Sequence, residues 1–426
     1  PGVRVSWSSS DSSTVDGDGR VTRPVGDRPR EVVLTAHLEA GQQSDSTQFV
    51  FRVMPQHRKL PALFLWTDAT LDRLRRTEAA ADYYPAGDET SPVHWLAAQE
   101  NRAGLSLRGN ACMLSSPKRS FGLRLSEPHG WWGTTNVCKI NLVNPCRDPT
   151  LLKNAFCYGL FGSWGGVGRR RDHLPVEWIE VFANGSYRGI YEATPPVRAE
   201  WLELSPYQNG ERSPTTVWKS QRKSASQFFP DMMRQIEPSR IHGNFQDLYL
   251  AFADFLENSS SEEFARDAGR WMDLDNMVDF QLLLDFTMNG NGWPFNFTIH
   301  DILVRPAGPD ARFFLVPQDY DTTFNSRILP YYSTRALRRL IEEYPGYADR
   351  LAARWRELRA GPLQMDALTT QLRAYQEHLA GYVEWDDRRW GTNLDRTHAE
   401  RVDEILQRAM ARMGELDQRF GASSEP

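Results

Sequence analysis

The sequence predicts an α+β fold in which a β-rich first half is followed by a helical second half. Short apolar runs bounded by turn residues recur between residues 62 and 191, which is typical of strands. Beyond residue 245, apolar residues recur at helical spacing. The first 55 residues differ from both halves, because their alternating pattern and Asp-Gly turn indicate a small all-β module. The predicted helices cover residues 245–256, 277–288, 334–343, 347–358, 365–381 and 397–419.

In the N-terminal module, residues 3–10, 32–38 and 49–53 predict three strands. The order of these segments resembles the small bacterial immunoglobulin-like modules of secreted and cell-surface proteins. The segment of residues 1–55 is shorter than a full immunoglobulin sandwich, so we expect a partial module. The resemblance implies an extracellular or cell-surface setting in a bacterium, with cell-wall or glycan contact through this module.

The β-rich region contains one predicted helix between two sets of strands. Residues 105–110 and 120–125 predict strands, and residues 177–191 predict a hairpin with an Asn-Gly turn. Asp148 is the expected N-cap of the helix, with Pro149 at its first position.

Composition excludes two classes of partner. The 55 acidic and 50 basic side chains give a net charge of −5, so no global field attracts nucleic acid or an anionic membrane. No run of eighteen apolar residues exists, so we expect no membrane span.

Because the sequence begins at Pro1 without a leader, we expect a mature fragment.

The cysteines allow two interpretations. They are Cys112, Cys138, Cys146 and Cys157. Paired Cys-x-x-Cys motifs are absent from the sequence, which argues against a zinc site. Two disulfides in an exported protein and buried free thiols explain the count equally well.

A short β-like island interrupts the helices and ends in two carboxylates. Residues 297–300 and 313–316 predict a hairpin, and Asp319 and Asp321 follow it directly, with Asn296 just before it. Phosphoryl transfer requires hard oxygen ligands for magnesium, which carboxylate and amide groups supply. A β-rich lobe, a helical lobe and an acidic hairpin between them are typical of kinase-like two-lobed folds. The alternative interpretation is that both aspartates are turn or cap residues.

Further segments occur in the order seen in the CotH (spore-coat protein H) kinase family. The chain resembles this family over roughly residues 60–395, and we expect the corresponding domain to cover residues 60–422. The aspartate pair is similar to that family's Pro-x-Asp-x-Asp signature. The other similar segments are 108–110 (RGN), 118–121 (KRSF), 148–155 (DPTLLKNA), 184–191 (NGSYRGIY) and 387–391 (DRRWG).

The resemblance implies a protein kinase of secreted substrates such as spore-coat components, with ATP and Mg²⁺ or Mn²⁺ as cofactors. It implies that Asp319 is the principal metal ligand, assisted by Asp321 and Asn296. Lys118 is the first candidate for holding the nucleotide phosphates, although a solvated lysine near a strand end is the competing interpretation. The other candidates are Arg108, Arg124 and Lys219.

Departures from the family pattern raise an alternative. In the family an aspartate stands at the general-base position, and here that position is Asn291. An amide cannot accept the proton of a hydroxyl, so we expect slower turnover without loss of nucleotide binding. Pro195 replaces a commonly acidic residue as well. Asp285 is a candidate to replace the missing general base. The competing interpretation is that Asp285 is a buried aspartate paired with an arginine.

The alternative function is a pseudokinase or a surface-binding scaffold. Fourteen tryptophans make carbohydrate contact conceivable, and the sequence predicts Trp131 and Trp132 as an exposed pair that tests this idea. Core packing is the competing interpretation for the remaining tryptophans.

Overall fold

The computed structural model has a mixed α+β architecture, with strands at the N-terminal end and mostly helices after residue 245. The structure describes residues 2–26, 28–68, 70–71, 76–87, 93–97, 104–109, 112, 115–166, 169, 171–220, 233–289, 302–324 and 335–421. The predictions for Asn291, Asn296 and the strand at residues 297–300 therefore lie outside the described residues.

The N-terminal module is one antiparallel sheet of three strands, β1 (Arg4–Ser9), β2 (Arg30–Ala40) and β3 (Gln43–Val53). Its buried core is small and consists of Val15, Val32 and Val53. Rings on β1 and β3 stay exposed, because no second sheet covers them among the described residues.

A buried ion pair joins this module to the next sheet. The Arg52 guanidinium lies 2.5 Å from the Glu180 carboxylate, and both side chains are almost fully buried. The guanidinium also lies over the rings of Tyr187, Tyr382 and Trp385, at 4.9 to 5.2 Å from their centroids. The module is thus attached through a charge that is removed from solvent.

The second sheet has eight strands in the spatial order β6-β5-β4-β10-β11-β9-β8-β7. Only β4 and β10 among these neighbours pair in parallel. The strands are β4 (Ala62–Trp66), β5 (Ala79–Tyr84), β6 (Val93–Ala97), β7 (Gly104–Arg108), β8 (Ser120–Trp131), β9 (Thr134–Val143), β10 (Glu177–Ala183) and β11 (Ser186–Thr194).

This sheet curls on itself. Thr77, just before β5, exchanges two backbone hydrogen bonds of 2.8 Å with Leu105 of β7, which brings opposite ends of the strand order together. The enclosed face buries apolar side chains, including Phe121, Ile140 and Tyr191. The opposite face carries the alternate residues and is therefore free to hold polar groups.

Helix α1 (Lys153–Ser163) lies between β9 and β10 in the chain, and it begins later than expected. Asp148 is not its N-cap. Instead, the Asp148 carboxylate accepts hydrogen bonds from the backbone N–H of Thr150 and of Lys153, both at 2.8 Å. The turn from 148 to 152 thereby positions the first turn of α1.

A third sheet of four strands has the order β13-β12-β14-β15. The strands are β12 (Thr216–Ser220), β13 (Met233–Glu237), β14 (Ile302–Arg305) and β15 (Phe314–Val316). The described partner of β15 is β14, which the sequence analysis did not predict. Asn276 fixes β15 by exchanging hydrogen bonds with the backbone of Leu315 at 2.9 and 3.1 Å.

The helices that follow form the largest core together with α1. They are α2 (Gln246–Asn258), α3 (Ser261–Trp271), α4 (Leu274–Thr287), α5 (Arg335–Glu343), α6 (Tyr347–Arg359), α7 (Met365–Leu379), α8 (Val383–Trp390) and α9 (His398–Phe420). The sequence analysis missed α3 and α8. Within the described parts of the chain, no helix combines the length and hydropathy that a bilayer crossing requires.

Candidate functional site

The two aspartates that the sequence analysis singled out lie on a loop that α1 holds in place. We call residues 317–324 the acidic loop; it follows β15 directly. The backbone N–H of Asp319 donates to the Tyr158 hydroxyl at 2.8 Å, and that of Tyr320 donates to the Asn154 side chain at 2.7 Å. Asp319 has a φ of 67°, a strained value for a residue with a side chain. These hydrogen bonds keep that conformation in place.

The far end of the acidic loop is fixed by two other helices. The backbone N–H of Phe324 donates to the Thr287 carbonyl at the end of α4, at 2.8 Å. Arg408 of α9 donates to the Phe324 carbonyl at 2.7 Å. Tyr320 and Phe324 are buried between these elements. The loop is therefore a preorganised support for its carboxylates.

Four carboxyl groups meet at this loop, and we call Asp148, Glu192, Asp319 and Asp321 the carboxylate cluster. Burial, together with the charges of Asp319 and Asp148, raises the pKa of Asp321 to about 7. Burial likewise raises the pKa of Glu192 well above its usual value, and the charges of the other three members add to this effect. This mutual repulsion places the four groups in one electrostatic neighbourhood, although among the described residues no three of them bring ligand oxygens within 4.8 Å of one another.

The donor set fits a hard divalent cation. Asn154 Nδ2 donates to Glu192 Oε2 at 2.8 Å, whereas the buried Glu192 Oε1 accepts no hydrogen bond from any described residue. Carboxylate oxygens are the type of donor that Mg²⁺ and Mn²⁺ prefer, and Glu192 Oε1 is a buried one without a hydrogen-bond partner. The sequence analysis missed Asp148 and Glu192 as members. Asp148 was assigned as a helix cap, and Glu192 was not selected as a candidate.

Arg108 lies near Asp319 of the carboxylate cluster. Burial lowers the pKa of its guanidinium, and the charges of Asp319 and Tyr158 oppose this shift, which places Arg108 near both groups. Arg108 lies at the end of β7, opposite Ser120. The sheet face that contains Arg108 therefore meets the acidic loop.

Lys118 has different partners from those that the sequence analysis expected. Its ammonium group lies 2.7 and 2.9 Å from the two Asp386 oxygens and 2.6 Å from the Ile190 carbonyl. Lys118 is 4% exposed, so the interpretation as a solvated lysine is wrong. This triple contact fixes α8 to β11. The phosphate-binding role of Lys118 stays a prediction, and this geometry gives it no support.

Lys219 lies on β12, in the same cross-strand row as Ile302 and Val316. Val316 is the last residue of the strand that leads into the acidic loop. Lys219 is thus placed near the base of that loop, and its role stays a prediction.

A second polar group occupies the same face of the eight-stranded sheet, and we call Arg76, Arg124, Lys139 and Arg198 the cationic group. Arg124 and Lys139 are directly opposite each other on β8 and β9. Burial, together with the charges of Arg198, Arg124 and Arg76, lowers the pKa of Lys139 to about 8. None of the four forms an ion pair with a carboxylate of the described residues. The group gives this part of the face a local positive charge, and Arg198 and Lys139 also act on the nearby carboxyl group of Glu200.

A cavity of about 300 Å³ adjoins the cationic group. Its lining comprises Val137, Cys138, Lys139, Pro196, Arg198, Glu200, Trp201 and Glu237. The sequence analysis selected Arg124 but missed Lys139, because it did not predict β9. The alternation of apolar and polar residues from 138 to 142 was the available signal.

The register relates the two polar groups. Lys139 and Val143 are four residues apart on β9, and Val143 is opposite Glu192. At about 3.3 Å per residue, Lys139 and the position opposite Glu192 are about 13 Å apart along β9, on the same face. Extended Lys and Arg side chains span part of this distance.

Two other candidates have structural partners. Trp131 is buried and stacks on Trp132 at 4.5 Å, so the expectation of an exposed pair was wrong. Asp285 is buried and lies 3.3 Å from Arg419, as its structural interpretation predicted.

The structure defines a mixed α+β protein with an N-terminal all-β module, an anchored acidic loop and a cationic group on the adjoining sheet face. Residues 105–414 match the family model described as CotH kinase protein, so the chain belongs to the CotH kinase family. Residues 1–56 match the model of an atrophied bacterial Ig domain, which agrees with the three-stranded module. Comparison with curated proteins finds no significant match.

Proposed function

We propose that this protein is an exported kinase-like enzyme that binds ATP with Mg²⁺ or Mn²⁺ and transfers phosphate slowly to Ser or Thr of a secreted or cell-surface protein. The observation that carries the proposal is that Glu192 of the carboxylate cluster and Lys139 of the cationic group lie on one sheet face, about 13 Å apart along the strands. In a two-lobed kinase-like arrangement, this face and the acidic loop would form the two sides of the nucleotide cleft.

The metal would be held by Asp319 and Asp321, whose backbone is anchored by α1. When bound, the ion neutralises charge on the phosphates. Glu192 and Asp148 would hold the ion from the sheet side, directly or through water. Because four carboxylates repel one another without a counter-ion, the cluster favours cation binding.

The phosphates would be bound by Arg108 near the metal and by the cationic group farther along the face. Lys139 and Arg124 point from adjacent strands to the same side of the sheet, so their charges act together. The cavity beside Trp201 would accept the remainder of the nucleotide. A flat indole side chain there offers a surface for base stacking.

The sequence also sets the expected rate. Asn291 at the general-base position can orient an acceptor hydroxyl but cannot take its proton. Phosphoryl transfer depends mainly on positioning and charge neutralisation, so a preorganised site retains activity at a reduced rate.

Export is supported by the cysteines. Cys112 and Cys146 form a disulfide, whereas Cys138 and Cys157 are free thiols. Disulfides persist mainly in oxidising compartments. The immunoglobulin-like module supports the same setting, and the module is a proposed contact for the cell wall or a glycan.

The test compares two aspartates of the same hairpin. Asp319→Ala should abolish transfer of labelled phosphate from ATP to a generic protein substrate, and should weaken metal-dependent ATP binding. Asp310→Ala is the matched control, because Asp310 is exposed in the loop before β15. Transfer that survives in Asp319→Ala, or that is lost equally in Asp310→Ala, contradicts the proposal.

The alternative is a pseudokinase scaffold, which Asn291 favours. A scaffold would bind ATP and metal without transferring phosphate. Asn291→Asp separates the two functions, since a large gain in rate shows that the remaining site is assembled for catalysis. Nucleotide binding with no transfer in either form supports the scaffold.

A further inference from the structure

The disulfide lies against the carboxylate cluster. The Cys112 and Cys146 sulfur atoms and a carboxylate oxygen of Asp321 all lie within 4.8 Å of one another. Cys112 follows β7, and Cys146 precedes Asp148 by two residues. Two chain segments 34 residues apart are therefore joined at the edge of the acidic loop.

We propose that, once this disulfide is reduced, Cys112, Cys146 and Asp321 form a binding site for a thiophilic divalent cation such as Zn²⁺. Two thiolates and one carboxylate are a ligand set that zinc accepts, with a fourth ligand from water or a neighbouring carboxylate. The separation of 34 residues explains why no Cys-x-x-Cys spacing signals this site in the sequence.

The geometry requires little movement. The two Cα atoms are 5.7 Å apart. With Zn–S bonds of about 2.3 Å in a tetrahedral shell, two zinc-bound sulfur atoms lie roughly 3.8 Å apart. Rotation of the two side chains supplies that separation without moving the backbone far. Asp321 is buried and its loop is anchored, so its oxygen stays in place during the change.

The redox step is a two-electron reduction. A dithiol reductant gives two electrons and two protons to the disulfide, producing two thiols, and is itself oxidised to a disulfide. The metal ion then displaces both thiol protons to solvent as it binds.

A consequence follows for activity, and it rests on the proposed function. Asp321 is also a proposed ligand of the nucleotide-bound metal, so one ion excludes the other. Reduced protein with Zn²⁺ would therefore lose metal-dependent ATP binding, whereas oxidised protein would keep it.

The experiment uses Co²⁺ as a spectroscopic probe, so that its readout is independent of ATP. The full chain is reduced with dithiothreitol, desalted without oxygen and titrated with Co²⁺. We expect a sulfur-to-cobalt charge-transfer band at one equivalent in the reduced protein and no such band in the oxidised protein. Zn²⁺ should displace the cobalt. No band in the reduced protein, or the same band in both forms, overturns the proposal.

Variants assign the ligands. Cys112→Ser should remove most of the band, and Cys138→Ser, a free thiol outside the site, should leave it unchanged. Asp321→Asn should weaken Co²⁺ binding by more than the ~10-fold typical of losing an outer-shell partner, with Asp310→Asn as control. Equal affinity in Asp321→Asn overturns the assignment. The comparison of oxidised and reduced wild-type protein holds even if a variant fails to fold. If the oxidised protein does not bind ATP while the reduced protein gives the cobalt band, the proposed function is contradicted and the zinc-site proposal is not.

Discussion

Asn154 accepts a hydrogen bond at 2.7 Å from the backbone N–H of Tyr320, the residue between the two aspartates of the acidic loop. The same side chain donates to Glu192 at 2.8 Å. One amide on α1 thus fixes both the loop and a carboxylate on the sheet. Because an amide offers a donor and an acceptor at once, no hydrophobic residue of similar size can replace it.

Asn154→Leu should therefore destabilise the protein and weaken metal-dependent nucleotide binding. Each buried group left without a partner costs about 1–3 kcal/mol. Thermal unfolding and a nucleotide titration measure the two effects. Asn258→Leu, an exposed position at the end of α2, is the control. Equal unfolding temperatures for the two variants would show that the Asn154 contacts add nothing.

The pH dependence of anion binding should follow Lys139. Its pKa is lowered to about 8 by burial and by the neighbouring arginines, so its charge is present below pH 8 and lost above it. Affinity for ATP or tripolyphosphate should fall between pH 7 and pH 9. Lys139→Arg should remove this fall, because arginine stays charged over the whole range. A fall of the same size in Lys139→Arg would mean that another group causes it.

The linked effect on stability has the opposite direction. Because the folded state lowers the pKa of Lys139 below its unfolded value, charging it opposes folding. The stability of the ligand-free protein should therefore rise with pH from about 8 towards the unfolded lysine value near 10.4. Lys139→Met should lack this rise in a chemical denaturation series, and a rise of equal size in that variant would contradict the assignment.

Lys118→Met tests whether Lys118 supports the fold or holds nucleotide. Removing the lysine leaves Asp386 buried without its cation, and breaking a buried pair in this way costs about 3–5 kcal/mol. We expect a large fall in unfolding temperature and unchanged ATP affinity in the folded fraction. Lys59→Met, which removes a more exposed partner of Glu377, should change stability little. Lost ATP affinity with unchanged stability would restore the original prediction for Lys118.

Arg52→Met should destabilise the whole chain and not the N-terminal module alone. Glu180 would be left buried without its partner, at a cost of about 3–5 kcal/mol. The double variant Arg52→Met with Glu180→Gln should recover part of this loss. A single cooperative transition at lower temperature is the expected calorimetric result. A separate early transition confined to the module would contradict it.

The sequence predicted the parts of the site that depend on local order. Asp319 and Asp321 were found because an apolar strand runs directly into them, and a strand end needs no knowledge of distant residues. Arg124 was also found within a predicted strand. Asp148 was assigned the wrong role because a helix cap and a preceding turn use the same residue types.

The missed features depend on pairing across the chain. Lys118 and Asp386 are 268 residues apart, and no local pattern records that they meet. The cationic group combines residues from β8 and β9 with Arg76 and Arg198, which are not on those strands, so its charge emerges only when the sheet curls. The strand pairing of β14 with β15 was missed because residues 297–300 were selected as the first strand of the hairpin, although the apolar run at residues 302–304 was the stronger local signal.

The Arg52–Glu180 pair also changes what counts as one unit of this protein. Family resemblance divides the chain near residue 56, yet the arginine before that division neutralises a carboxylate enclosed well after it. We therefore expect the boundary between the two matched families and the boundary of the cooperatively folding unit to fall at different places in the chain. A shortened form that starts after the module would retain the whole matched CotH segment, but it would bury Glu180 without the guanidinium of Arg52.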